Sequence, residues 1–522
     1  MDSMKKLEQQ FKKLSSYQHL AAICGWDQAA MMPSGGNDVR AQAMSDLALL
    51  CHETLTAEEM GEWINDAEAN IASLSDTDKI NLREMKRVWE QATVLPADLV
   101  ESKSLLGSSC EHAWRTQRPN NDWEGFSANL KRVVDVSRQE AEIRAKQTGL
   151  TPYNAMLDLY EPGMTTEKLD ALFGDLKTWL PALTQSVLEK QKSVKVSQPK
   201  GPFDTALQSA LGKRFMEVIG FDFNHGRLDV SAHPFCGGVP SDVRLTTRYD
   251  EADFTSAIMG VIHETGHARY EQGLPKAFRY SPAGEARSMG IHESQSLFFE
   301  MQLGRSPLFV EHLAKMAAEA FGRQSDAAFT VDNMNALYNR VQPGFIRVDA
   351  DEVTYPAHVI LRYEIERDLM EGNISVEDIP ERWDRKMQEY LGLSTDGDYT
   401  NGCMQDIHWT DPECKMSTAK NHNYKDGCMQ DIHWCDGSFG YFPSYTLGAM
   451  YAAQFMAAMR KTVDVDACLK SLDLAPISAW LEQNIWSKGS TLSTEELVIQ
   501  ATGEPLNPEY FKQHLISRYL NY

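Results

Sequence analysis

TSAIMGVIHETGHARYEQG, residues 255–273, carries apolar residues at helical spacing and, inside them, the string HETGH at 263–267. His263 and His267 are four apart, so on a helix both imidazoles lie on one face, one turn apart, where they can meet a single cation. Glu264 projects about 100° away from His263, which suits it to act as a base toward a water on the metal rather than as a ligand. Ile258, Val261, Ile262 and Ala268 make this helix apolar enough to be buried. Two histidines and a glutamate are costly in a core unless something pairs with them. A catalytic zinc usually has three protein ligands, so a third donor is needed. The next helical stretch, ARSMGIHESQSLFFEMQLG at 286–304, carries Glu293, 26 residues beyond His267. That is enough chain to turn and lay a second helix against the first. On spacing alone Glu300, Glu271 and Glu285 compete with Glu293, and His292 is a rival donor that must face away if Glu293 faces the metal.

Outward from these helices, apolar residues recur at three and four spacing between Ser, Thr and Asp caps and Gly or Pro breaks over most of the chain. The pattern predicts helices over 4–24, 36–52, 56–70, 77–93, 122–147, 165–192, 204–219, 252–272, 286–303, 308–322, 331–340, 355–371, 375–391, 444–461 and 493–502. Strand character is confined to 226–249, where β-branched residues alternate with Gly and Pro turns. No linker or long run of one charge divides the 522 residues, which predicts one mainly α-helical body, perhaps two-lobed, with a small β segment near the metal helix.

The chain is 42% hydrophobic and 24% charged, as expected of a globular protein with a sizeable core. Its net charge of −23 argues against attraction to nucleic acid or anionic lipid. The opening MDSMKKLEQQFKKLSSYQHL has no apolar core of a secretory signal, and the apolar stretch 445–459 is too short to span a bilayer, which takes about 20 residues. These features predict a cytoplasmic protein. Its nine cysteines form no CxxC pair, so reduced thiols are expected.

One segment occurs twice: YTNGCMQDIHWTD at 399–411 and YKDGCMQDIHWCD at 424–436, identical at ten of thirteen positions. Two copies are not a solenoid. Cys403, Cys414, Cys428 and Cys435 fall here with His408, His422 and His433, but without ligand pairs at short spacing they make a weak metal site.

Taken together, HPF at 233–235, DVRLT at 242–246, HETGH at 263–267, HESQ at 292–295, IRVDAD at 346–351, and GCMQDIHW followed by GSFGYFPSY at 437–445 resemble the carboxypeptidase Taq family, peptidase family M32. The opening GWDQAAMMPSGGNDVRAQ at 25–42 is similar too, so the resemblance runs nearly end to end. It implies a neurolysin-like zincin fold with a deep central groove, a zinc or cobalt ion, a homodimer, and release of single residues from peptide C-termini with broad specificity. It also implies Glu293 as third ligand beside His263 and His267, with Glu264 as general base.

The motifs suggest further roles. A terminal carboxylate needs a cation, and Arg347 is the first candidate and Arg244 the second, set against salt bridges to Asp242, Asp349 or Asp351. His233 would line the groove or sit in the core. An oxyanion needs donors, and related HExxH families place a Tyr about a dozen residues after a His. His433 to Tyr445 is 12 and His433 to Tyr441 is 8, so Tyr445 comes first. The family pattern has QDxHW once. A catalytic pair tolerates an insertion upstream of it better than one between its members, which favours His433 over His408. Two competing readings are an endo-acting zinc oligopeptidase and a peptide-binding scaffold inactivated by the duplication.

Overall fold

The computed structural model describes residues 2–231, 234–395 and 424–521. The fold is mainly α-helical with one small sheet. Contacts divide it into two compact units: Met1–Thr93 with Val194–Asn339 and Leu447–His514, and Val94–Ser193 with Arg340–Thr446 and Leu515–Tyr522.

In the first unit the opening helix Ser3–Ala30 buries Met4, Leu7, Phe11 and Leu14, one stripe at three-four-three spacing. That stripe packs on Met60, Ile64 and Ala67 of Glu58–Ala69 and on Leu82 and Met85 of Asp76–Thr93. The sheet falls inside the interval where strand character was expected. It comprises β1 (Gly226–Val230), β2 (Phe235–Val239) and β3 (Asp242–Thr247) in the order β1-β3-β2. β1 runs parallel to β3, while β2 and β3 form a tight antiparallel hairpin with Val239 opposite Asp242. Gly238, at φ +94°, is required there, since a Cβ would meet the Asp242 carbonyl oxygen at 2.2 Å. Leu228, Val243 and Leu245 from the sheet close over Val261 and Ala268 of the HETGH helix, with Met216 and Phe221 beneath.

The HETGH helix spans Phe254–Gly273 and is capped by Asp253, whose carboxylate accepts from the Thr255 amide at 2.8 Å. The stretch read as one helix over 286–303 breaks into an α-helix, Met289–Leu297, and a π-helical turn, Phe298–Gly304. Gly266 lets the two motif helices touch: a Cβ there would meet the Gln295 carbonyl oxygen and the Ser296 Cα at 2.6 Å. Gly448, on the helix Pro443–Met459, does the same for Glu293, whose Cγ would lie 2.7 Å from an added Cβ.

The second unit is built on Ala97–Gln117, Trp123–Thr148, Thr166–Gln191, Tyr355–Met370 and Ile379–Leu391. Ala97–Gln117 escaped the sequence reading because only Leu99, Gly107 and Cys110 are buried along it, too few to give a helical period. The repeat copy 424–436 is bedded in this unit. Trp434 donates to the buried Glu366 at 2.9 Å, as does the Tyr153 hydroxyl at 3.1 Å. The copy at 399–411, with His408, lies outside the described residues, as do Cys403, Cys414 and His422. The seven described cysteines are free thiols. Among the described residues no helix is long and apolar enough to cross a membrane.

Candidate active site

Helix period sets His263 and His267 one turn apart on the Phe254–Gly273 helix, and the neighbouring helix brings Glu293 to them. One ligand atom from each of the three lies within 4.8 Å of the others, the one such cluster of His, Cys, Asp or Glu among the described residues. Nε2 of His267 is 3.5 Å from a Glu293 carboxylate oxygen. Two ligands of a tetrahedral zinc, with bonds of about 2.0–2.1 Å, lie about 3.4 Å apart, so two nitrogens and one carboxylate oxygen here fit a divalent transition metal.

Of the carboxylates that spacing left in competition, Glu300 and Glu271 have other partners. Glu300, delivered by the π-helical turn, meets Nδ1 of His263 at 2.9 Å and accepts from Arg305 at 2.8 Å. Glu271 meets Nε2 of His292 at 2.8 Å, and Nδ1 of His292 meets Nδ1 of His267 at 2.6 Å. Glu285 stands apart from the cluster and is exposed. His292 therefore faces away from the Glu293 side, as adjacent helical residues must.

The electrostatics suit a cation. Burial works to lower the His263 imidazole, but the Glu300 hydrogen bond and the charges of Glu293, Glu300 and Glu264 outweigh it and raise it to about 10. The carboxylates that favour a proton there favour a metal equally. Burial would raise Glu300, yet Arg305 and His263 hold it at about 2. Burial lifts Glu264 to about 7, with Glu293 and Glu300 pushing the same way against His263 and His292. A carboxyl poised near neutrality can both take and return a proton.

In the second unit the IRVDAD and QDIHW segments meet. Arg347 donates from Nε to Asp431 at 2.9 Å and from Nη1 to the Tyr355 hydroxyl at 2.8 Å. Asp431 also accepts from the fully buried Arg362. Arg347 is thus paired with Asp431, while Asp351 accepts from the amides of Val353 and Thr354. The Arg347 guanidinium lies 5.0 Å from the ring centre of Tyr445 and 5.3 Å from that of Phe442. His433 and Tyr445 join through Nε2 and the phenol oxygen at 3.1 Å, and Tyr441 packs against both rings. Burial, then Arg347, lowers His433 to about 4, so its imidazole is neutral at pH 7.

Arg244 is held by Asp242, Nε to Oδ1 at 2.6 Å and a terminal nitrogen to Oδ2 at 2.8 Å, and stacks 4.6 Å from the Trp26 ring centre. The motif at 25–42 and DVRLT thus meet. His233 lies outside the described residues. Sequence reasoning missed Asp431 and Arg305, and it named Glu300 and His292 as rival metal donors rather than as the outward partners of the two histidines.

The family model of the carboxypeptidase Taq (M32) metallopeptidases matches residues 6–414 and 418–519. The chain belongs to the M32 metallopeptidases. Thermostable carboxypeptidase 1 of Thermus thermophilus is 36% identical, covering 98% of this chain and 97% of its own. Carboxypeptidase 1 of Bacillus subtilis is 35% identical over 98% of this chain and 96% of its own. Among solved structures, metallocarboxypeptidase 1 of Trypanosoma cruzi superposes with a TM-score of 0.92 at 48% identity, covering 99% of each chain. As an M32 enzyme the protein is a metal-dependent carboxypeptidase, a hydrolase acting on peptides, and neither the endo-acting nor the scaffold reading is favoured.

Proposed function

We propose that this M32 enzyme is a zinc carboxypeptidase that releases single residues from peptide C-termini, with His263, His267 and Glu293 as metal ligands and Glu264 as general base. The observation that carries this reading is the convergence of two imidazoles and a carboxylate beside a second carboxyl held near neutrality. A bound divalent ion would supply Lewis acidity, polarising the scissile carbonyl and activating water near neutral pH.

The chain's own residues do the rest. Glu264 takes the proton of the attacking water and hands it to the leaving amine. Glu300 and Arg305 hold the His263 ring so that Nε2 points inward. Donors to the oxyanion are assigned to Tyr445 first, then Tyr441, with the neutral His433 beside them. The terminal carboxylate falls to Arg347, with Arg244 second; the support is guanidinium fork geometry, although an aspartate already engages each fork.

The test is metal content by elemental analysis, with release of the last residue from a blocked dipeptide before and after chelation. One zinc per chain and chelator-sensitive release are expected, with no cleavage when the C-terminus is amidated. Release that survives complete metal removal, or equal cleavage of the amidated peptide, would overturn the reading.

A further inference from the structure

We infer that His292 is a positioning residue which couples Glu271 to His267 and so decides which nitrogen of His267 faces the metal. The inference rests on the metal-site reading above. His263, His267 and Glu271 follow one another at four-residue spacing, so they share one face of the HETGH helix. Glu271 does not reach back to His267 directly. The His292 ring, carried by the Met289–Leu297 helix, stands between them, with its centroid 4.7 Å from that of His267 and 5.3 Å from that of Tyr270.

In this relay the hydrogen-bond contacts give each proton its place. An ionised carboxylate only accepts, so the 2.8 Å contact to Glu271 puts the proton on Nε2 of His292. With Nε2 donating, Nδ1 of His292 is the nitrogen left to accept. The 2.6 Å contact between the two Nδ1 atoms needs one donor and one acceptor, so the proton there belongs to His267. His267 is left with its lone pair on Nε2, the nitrogen 3.5 Å from Glu293. The opposite order would place a proton on that nitrogen and close it to a metal. His263 is supported differently, by Glu300 directly and Arg305 behind it. The two ligands therefore have separate outer supports, one a carboxylate and the other a carboxylate acting through a second imidazole. Outer partners of this kind are worth about 10–100-fold in metal affinity.

The experiment measures Zn2+ affinity by competition with a chromophoric chelator, and the melting temperature of the metal-free protein. The variants are His292→Leu, His292→Gln, Glu271→Ala and the His292→Leu/Glu271→Ala double. His292→Leu is expected to weaken Zn2+ binding about 10–100-fold while the metal-free melting temperature stays close to wild type. The double variant should bind no more weakly than His292→Leu, because the two residues act in series. His292→Gln should bind more tightly than His292→Leu, since its amide both accepts from His267 and donates to Glu271. Multiplicative losses for His292 and Glu271, equal affinities for the Gln and Leu variants, or a wild-type affinity for His292→Leu would overturn the relay alone. A wild-type protein that takes up no Zn2+ would overturn the metal-site reading beneath it.

Discussion

In the mechanism proposed above, Glu264 is the side chain on which the chemistry turns, because it moves the proton without binding the metal. Glu264→Gln should keep its metal and lose about 10²–10⁴-fold in kcat, read from metal content and steady-state hydrolysis on one preparation. Rates near wild type would remove it from the mechanism. His263 makes a second case. In the metal-free protein Glu300 and the neighbouring carboxylates favour a proton on this imidazole at pH 7, one that a metal held as proposed would displace. Zinc affinity should therefore climb by about tenfold per pH unit from pH 6 to 8, with proton release visible in the buffer dependence of the binding heat. A flat affinity over that range would show that the ring is already neutral. Asp431 is the hinge of the other cluster, one buried carboxylate between Arg347 and Arg362. Burial would raise it, but the two arginines keep it well below the usual carboxylate range. Asp431→Asn leaves two buried cations under-compensated and should cost about 3–5 kcal/mol in denaturant unfolding. That His263 and His267 share one helix face was legible because four-residue spacing is a local property. Asp431 was not, being 84 residues from Arg347 in the chain.

Elements place these side chains only as well as they pack. The HETGH helix and Met289–Leu297 touch at Gly266, where an added methyl would run into backbone rather than a movable side chain. Gly266→Ala should therefore destabilise the protein by about 1–3 kcal/mol and weaken zinc binding by shifting His267 from Glu293. Gly260, on the same helix with nothing within 4 Å of a new Cβ, is the control. Its alanine variant should be neutral or gain up to about 1 kcal/mol. Thermal unfolding of both variants checks the contrast; equal effects would mean that the close approach is not what Gly266 provides. The π-helical turn shows the limit of periodicity. SLFFEMQLG reads as uninterrupted helix, and the wider turn that carries Glu300 to His263 does not disturb the apolar pattern.

At the scale of the whole molecule the duplicated segment is the feature that sets this chain apart from a single-copy pattern. Copy 424–436 supplies the buried contacts: Asp431 to both arginines, Gln430 to the Arg347 amide, Trp434 to Glu366. Deleting residues 399–423 leaves those contacts in place, so melting temperature and peptide hydrolysis should stay at wild-type levels. Loss of either would mean that the first copy contributes something the second does not. Mainly helical character, the strand interval and the metal helix follow from the sequence alone, because caps, apolar period and four-residue spacing act between near neighbours on the chain. Membership of the family was likewise legible, since its motifs are short and occur in order. That Glu293, rather than Glu271 or Glu300, clusters with both histidines took the tertiary structure. So did the partners of His267, the π-helical turn and the clasp on Arg347. These depend on segments tens of residues apart meeting at specific distances, and the free energy that selects such meetings comes from packing the whole core, which no local window of sequence contains.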